Sequence, residues 1–294
     1  MTRALRAWLL GLLFGALAAS PALADPPMWR VRPPSGKPGT EIVLFGSVHL
    51  LSPDLKWRSP ALDRELAQAH ELWFEIPMDG AAQAAAAGTA AKLGKLPAGQ
   101  TLSQHLGPEA RARLARVAGR FGLPAASLET FRPWLAEVTL TLLQLQQQGG
   151  RQGSGVEETL SRAAPPSART RAFETPEQQI RLLAEAPIRE QAASLEQTLK
   201  EIETDPDAFD ELQKAWIDGD TAWLEREAVG PLREASPALY RRLVVERNRR
   251  WTQEIERLLK RKESALIVVG VGHLVGADSV PALLRRRGYV VEGP

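Results

Sequence analysis

The sequence predicts an α/β protein: a small, mostly parallel sheet built from βαβ units at both chain ends, with a large helical insertion between them. Three observations predict it. Ile42–Asp54 (IVLFGSVHLLSPD) and Leu266–Asp278 (LIVVGVGHLVGAD) are near copies, each an apolar, β-branched run ending in a glycine-flanked turn that carries a histidine. Both read G-x-x-H-L-x-x-x-D, with Gly46, His49, Leu50 and Asp54 in the first and Gly270, His273, Leu274 and Asp278 in the second. Each copy is followed by a helix start and another apolar run, whereas residues 100–262 have mainly helical spacing.

Taken in order, residues 1–24 read as a secretory signal. Arg3 and Arg6 form its positive start, Ala7–Ala19 its apolar stretch, and Ala22-Leu23-Ala24 its cleavage site. Asp25–Thr40, rich in proline and glycine, is expected to be an irregular lead-in. Glu41–Gly46 is the first buried strand and Ser47–Arg58 the loop holding His49. Ser59-Pro60 starts a helix, a capping serine before a proline at the first helical position. Leu72–Ile76 (LWFEI) is the next strand, ended by Pro77, so 41–80 forms a βαβ unit with parallel strands. Ala81–Gln100 reads as a mobile connection. Helical spacing then marks Glu109–Arg120, Ser127–Gln148, Pro176–Ile202, Pro206–Ile217, Thr221–Ala228 and Pro237–Arg261. Ala172-Phe173-Glu174 is a candidate short strand. In residues 263–294 the plan repeats: strand Ala265–Val271, the His273 loop, a helix capped by Asp278 or Ser279, Gly288 as its stop, and a closing strand Tyr289–Glu292. One domain over 25–294 is the expected organisation.

Composition narrows the function. The net charge of +2 falls to about zero once Arg3 and Arg6 are removed, which gives no case for a nucleic-acid partner. The chain has no cysteine, so thiol nucleophiles, zinc–thiolate sites and iron–sulfur clusters are excluded and an exported fold must rest on its core. After the signal no stretch is apolar for long enough to cross a membrane. A periplasmic or secreted location is expected. The motifs of serine hydrolases, zincins and nucleotide-binding loops are missing.

The candidate chemistry lies at strand ends, where open α/β sheets bind ligands. His49 and His273 each sit just past a strand, and two imidazoles converging there suit a divalent metal or a general base with its partner. Glu75 lies in an apolar strand, where a carboxylate is costly to bury unless it is paired or bound to a cation. Two readings stay open for it: a third member of a His–His–carboxylate metal set, or an ion pair with an arginine from the helical insertion. Arg247, in Glu246-Arg247-Asn248, would ordinarily mark a solvated helix face; over the crevice it would pair with a carboxylate or an anionic substrate group. Glu157, Glu158 and Glu174 are further carboxylates that spacing cannot rank. His70 and His105 read as structural, and Trp216 and Trp223 as packing.

At these residues the chain resembles the TraB/PrgY/GumN family, and its GumN-like bacterial branch in particular. The pieces are Gly46–His49, Glu75, Phe131-Arg132-Pro133-Trp134, Glu174-Thr175-Pro176-Glu177-Gln178, Ala215–Asp220, Glu246–Trp251 and Val269–Leu274. The resemblance implies an α/β fold of the erythromycin-esterase/ChaN-like group. Its animal members, the Tiki proteins, are described as metal-dependent proteases that use paired G-x-x-H motifs and a glutamate. Carried over, this implies that His49, Glu75 and His273 hold a divalent metal (Mn, Co or Zn), with Arg247 supporting negative charge on a peptide or protein substrate. One departure is Glu157 of Gly155-Val156-Glu157, where family members often have aspartate. The competing class is a non-catalytic periplasmic binding protein for heme, metal or peptide, or an envelope or polysaccharide factor.

Overall fold

The computed structural model describes residues 25–34, 39–151, 153–205, 207–261 and 263–294. The expected signal lies outside them. Six strands form one sheet: β1 (Met28–Arg32), β2 (Ile42–Ser47), β3 (Glu71–Phe74), β4 (Arg169–Ala172), β5 (Ala265–Gly270) and β6 (Val290–Glu292). Their order is β4-β3-β5-β2-β1-β6, with β4, β3, β5 and β2 mutually parallel. β2 (IVLFGS) is buried throughout and β5 (ALIVVG) nearly so. Unbroken apolar runs of this kind suit parallel strands covered on both faces.

The two chain ends interleave. β5 inserts between β2 and β3, so the two near-copies lie side by side, with Ser47 opposite Gly270. Both following helices start as the sequence predicts. Ser59 Oγ accepts from Leu62 N–H before Pro60–Gln68, and Ser279 Oγ accepts from Ala282 N–H before Val280–Arg286. The α/β class and the mostly parallel sheet therefore stand.

Several boundaries differ. The expected irregular lead-in contains β1, which pairs antiparallel with β2 and β6. Its reason is a period of two: Trp29 and Val31 are buried, while Arg30 turns outward to Glu41 and Glu65 at 2.6 and 2.5 Å. The closing strand therefore pairs with β1 and not with β5. The expected mobile connection is largely a helix, Gly80–Leu93, since alanine is the best helix former and Asp79 caps it. β3 stops at Phe74, which leaves Glu75 just past the strand. β4 starts three residues earlier than Ala172-Phe173-Glu174, although Phe173 and Glu174 still donate to the carbonyls of Phe74 and Glu75. The Pro176–Ile202 segment breaks into Pro176–Ala184 and Ile188–Thr204 around Pro187, whose ring cannot continue a helix. The Pro237–Arg261 segment contains a wide turn, Arg241–Val245, before the regular helix Glu246–Leu259.

The described residues form two hydrophobic cores. One surrounds the sheet and includes Trp29, Phe45, Trp216 and Trp251. The other is all-helical, built around Leu102, Leu114, Val117, Leu140, Leu195 and Leu199 of the insertion. Among the described residues no helix is long and apolar enough to cross a membrane.

Candidate functional site

The site forms where β2, β3 and β5 end together. Gly270, last in β5, has no side chain, and three others crowd the vacant direction. A β-carbon there would lie 3.1 Å from Glu75 Oε1, 3.8 Å from His273 Cδ2 and 3.9 Å from His49 Nε2. The structure thus brings together His49, Glu75, His273 and Arg247, the four residues the sequence singles out. Gly46, the equivalent glycine, has a different role: a β-carbon there would come within 2.8 Å of Val271. It allows close packing and does not line the site.

Arg247 is the hub. Its Nη2 donates to Glu75 Oε2 at 2.6 Å and lies 2.9 Å from Glu174 Oε2, while Nε donates to Glu174 at 3.0 Å. Its Nη1 donates to the Leu243 carbonyl at 3.2 Å and meets His273 Nε2 at 2.9 Å. The guanidinium also lies over the Trp251 ring, 4.6 Å from its centroid. Every guanidinium nitrogen is therefore engaged, and only 5% of the residue is exposed. The expected role of holding charge on a substrate would require it to release a partner. Glu75 has the ion pair that was one of its two readings. It also accepts from Gly270 N–H at 2.8 Å and from Gln179 Nε2 at 3.0 Å.

His273 is fixed on both ring nitrogens. Asn248 Nδ2 donates to the carbonyls of Asp278 and His273, which turns Oδ1 toward His273 Nδ1 at 2.7 Å. Nδ1 must then carry the proton, and the Nε2 lone pair accepts from Arg247. The ring packs against Trp251 with centroids 4.5 Å apart. Burial, with Arg247 and His49 as further positive neighbours, outweighs the pull of Glu75 and pushes the imidazole down to about 3. It is a neutral histidine. Burial works to raise the Glu75 carboxyl, but positive neighbours, among them Arg247, and the Gly270 N–H hold it near 2. With His273 neutral, Arg247 and then His49 are the charges that keep it low.

His49 is the opposite case. Its side chain is 67% exposed, and Nδ1 lies 2.7 Å from Glu157 Oε1. The Glu157 carboxylate, itself bonded by Ser47 Oγ at 2.6 Å, raises the imidazole to about 9 despite desolvation. Glu157 is held below the usual carboxylate range, its burial outweighed by His49 and Ser47. Local structure explains the pairing. Gly155 lets the Val156–Ala163 helix start against the His49 turn, where a β-carbon would come within 2.1 Å of the His49 carbonyl oxygen. Val156 N–H then donates to the Val48 carbonyl, and Glu157 is delivered beneath the ring.

The donor set decides whether a divalent cation fits. The His273 lone pair and both Glu75 oxygens are already hydrogen-bonded, and a guanidinium occupies their midst. With Arg247 in place the three expected ligands do not fit a cation, because a second positive charge would meet the first. Among the described residues no group of three His, Asp or Glu side chains is disposed to hold one.

The family model for TraB/PrgY/gumN matches residues 27–293, nearly all of the described chain. The chain belongs to the TraB/PrgY/gumN family. It is 24% identical over 243 residues to the uncharacterized protein YbaP of Escherichia coli strain K12, covering 82% of this chain and 87% of YbaP. The YbaP of Shigella flexneri gives the same figures. No solved structure gives a significant match. The family motifs quoted from the sequence now have positions: Glu75, Glu174, Arg247, Asn248 and His273 form one connected network, and His49 faces it.

Some members were missed by sequence reasoning. Asn248 has no exposed surface, although Arg247-Asn248 suggested a solvated face. A signal was present: Trp251, Thr252, Ile255, Leu258 and Leu259 continue the same helical face at spacings of three, four and seven. Gln179 and Ser47 gave no signal that separates them from ordinary polar residues. His70 bonds to Ser264 at the surface and Trp216 is a core residue donating to the Gly46 carbonyl, both away from the network.

Proposed function

We propose that the protein is an exported hydrolase that delivers water to acyl carbons, peptide bonds among them, with His49 as the proton-transfer group. One observation carries this reading: His49 Nε2, without a partner among the described residues, faces the crevice at Gly270 while Nδ1 is locked on a buried carboxylate. That is the arrangement of an oriented general base. Nε2 takes the proton of the attacking water, Glu157 steadies the imidazolium that forms, and the same proton passes to the leaving nitrogen or oxygen. Glu75, Arg247 and Glu174 form a rigid ionic wall beside the reacting atoms, and neutral His273 completes it. Because the base must be unprotonated, the rate rises with pH toward the raised value of His49, about 9.

The test is turnover of a quenched-fluorescence peptide library and a p-nitrophenyl ester by the unaltered protein and by His49→Gln. A fall in kcat/KM of about 10²–10⁴ in a folded variant is expected. No cleavage by either protein, or equal cleavage by both, would overturn the reading. A second reading follows from the three donors that crowd Gly270. It is a metal-dependent hydrolase of the kind implied by the family, in which Arg247 has withdrawn from His273. Cleavage lost with chelator and restored by Mn, Co or Zn would favour it.

A further inference from the structure

A cavity of about 840 Å³ opens between the Pro176–Ala184 and Glu246–Leu259 helices, on the Trp73 side of the sheet. Its size is that of a small-molecule or side-chain pocket. Two features set its chemistry. The first is an aromatic wall: Trp73 and Phe173 have ring centroids 5.0 Å apart, and Phe173 and Trp251 are 5.1 Å apart at an interplanar angle of 20°. The second is a cation without a counter-charge. Arg242, partly buried in the wide turn Arg241–Val245, has no bonded partner among the described residues, and its Nη1 is sealed from solvent. Wide helical turns of this kind recur at functional sites. The indole N–H of Trp251, a residue only 2% exposed, is likewise buried without an acceptor. Buried donors are normally satisfied, so two orphans behind one cavity wall mark this wall as rich in donors and short of acceptors.

The charge balance says which acceptor. The other lining arginines are matched: Arg181 with Glu177 at 2.8 Å and Glu185 at 2.9 Å, Arg257 with Glu254 at 2.6 Å, and Arg250 at 3.4 Å with Glu174, which it shares with Arg247. Arg242 alone among the lining arginines has no carboxylate beside it. A carboxylate would neutralise that one guanidinium, whereas a phosphate dianion would bring a second negative charge beside Glu174, Glu185 and Glu254. A planar guanidinium also matches the carboxylate fork. Glu174 lies on the cavity wall and is bonded to Arg247, so the cavity adjoins the ionic network.

We infer that this cavity is a binding subsite for a carboxylate next to a large apolar or aromatic group, the chemistry of a free peptide C-terminus. That the ligand is a substrate of the His49 centre rests on the hydrolase reading; that it binds here does not. Tryptophan fluorescence and calorimetric titration of the protein with N-acetyl-L-phenylalanine and with its amide test the inference. The acid is expected to bind saturably, at least about tenfold more tightly than the amide, with a similar loss in Arg242→Gln and none in His49→Gln. Equal binding of acid and amide, no binding of either, or full binding by Arg242→Gln would overturn it. If Arg242→Gln fails to fold, the acid–amide comparison on the unaltered protein decides. Binding that survives in a protein cleaving nothing would uphold the subsite and remove the hydrolase.

Discussion

The two G-x-x-H turns are nearly the same sequence and nearly opposite chemistry. His49 is open to solvent, bonded to one carboxylate and raised to about 9. His273 is buried, bonded to an amide and a guanidinium, and lowered to about 3. The strands bring both to one place, but the partners come from the helical insertion: Glu157 from Val156–Ala163, and Arg247 and Asn248 from Glu246–Leu259. A repeated motif therefore fixes position, while the elements packed over it fix protonation. One turn becomes mobile in charge and the other a neutral strut.

The largest effect should come from the residue that imposes the difference. Arg247→Met keeps the apolar stem and leaves Glu75 and Glu174 buried without their main cation. Uncompensated buried charge typically costs about 3–5 kcal/mol. Denaturant unfolding at neutral pH should show a loss of that size, with the midpoint falling and the slope unchanged. A loss below about 1 kcal/mol would mean that the carboxylates find other partners and that Arg247 is not the hub.

Acid should act through His273 next. Its folded value, about 3, lies below that of the unfolded chain near 6.5. Below about pH 6.5 the unfolded chain takes up a proton that the folded state refuses, so stability falls as pH drops toward 3. Glu75, held near 2, adds a second loss of the same sign below the usual carboxylate range. His273→Gln can still accept from Arg247 and removes only the first loss. Between about pH 6.5 and 4.5 the unaltered protein should lose roughly 2–3 kcal/mol that the variant keeps. Parallel pH dependences in the two proteins would show that His273 is protonated in the folded state and that the two turns are more alike than their partners imply.

This contrast explains what could be read from the sequence and what could not. β2 and β5 were legible because unbroken β-branched runs have few alternatives, and Ser59-Pro60 and Ser279 because capping is local. His49 and His273 were legible because they stand at strand ends, and Glu75 because a carboxylate in an apolar run is costly to bury. Their roles were not. Whether Glu75 meets a metal or an arginine depends on a contact 172 residues away in sequence, and the pairing of His49 with Glu157 spans 108. β1 was hidden because two arginines and neighbouring prolines mask a period of two over only five residues. The Gly80–Leu93 helix was hidden because alanine without an apolar stripe gives propensity but no periodicity.

The smallest expected effect is also the sharpest test of the comparison. Glu157→Gln keeps the shape under His49 and removes the charge. The His49 value, raised to about 9 chiefly by that carboxylate, should fall toward the ordinary imidazole range near 6.5, followed by the ring proton shifts in NMR. The stability linked to it is fully present below about pH 6.5 and is lost as pH rises through about 9. Because the ring is 67% exposed, solvent screens the pair and the loss should stay below about 1 kcal/mol. Any hydrolytic rate limited by this base should then reach its plateau at lower pH in the variant, even as its maximum falls. A His49 that still titrates near 9 without Glu157 would shift the cause to Glu75, the next negative neighbour, and would tie both turns to a single carboxylate instead of separating them.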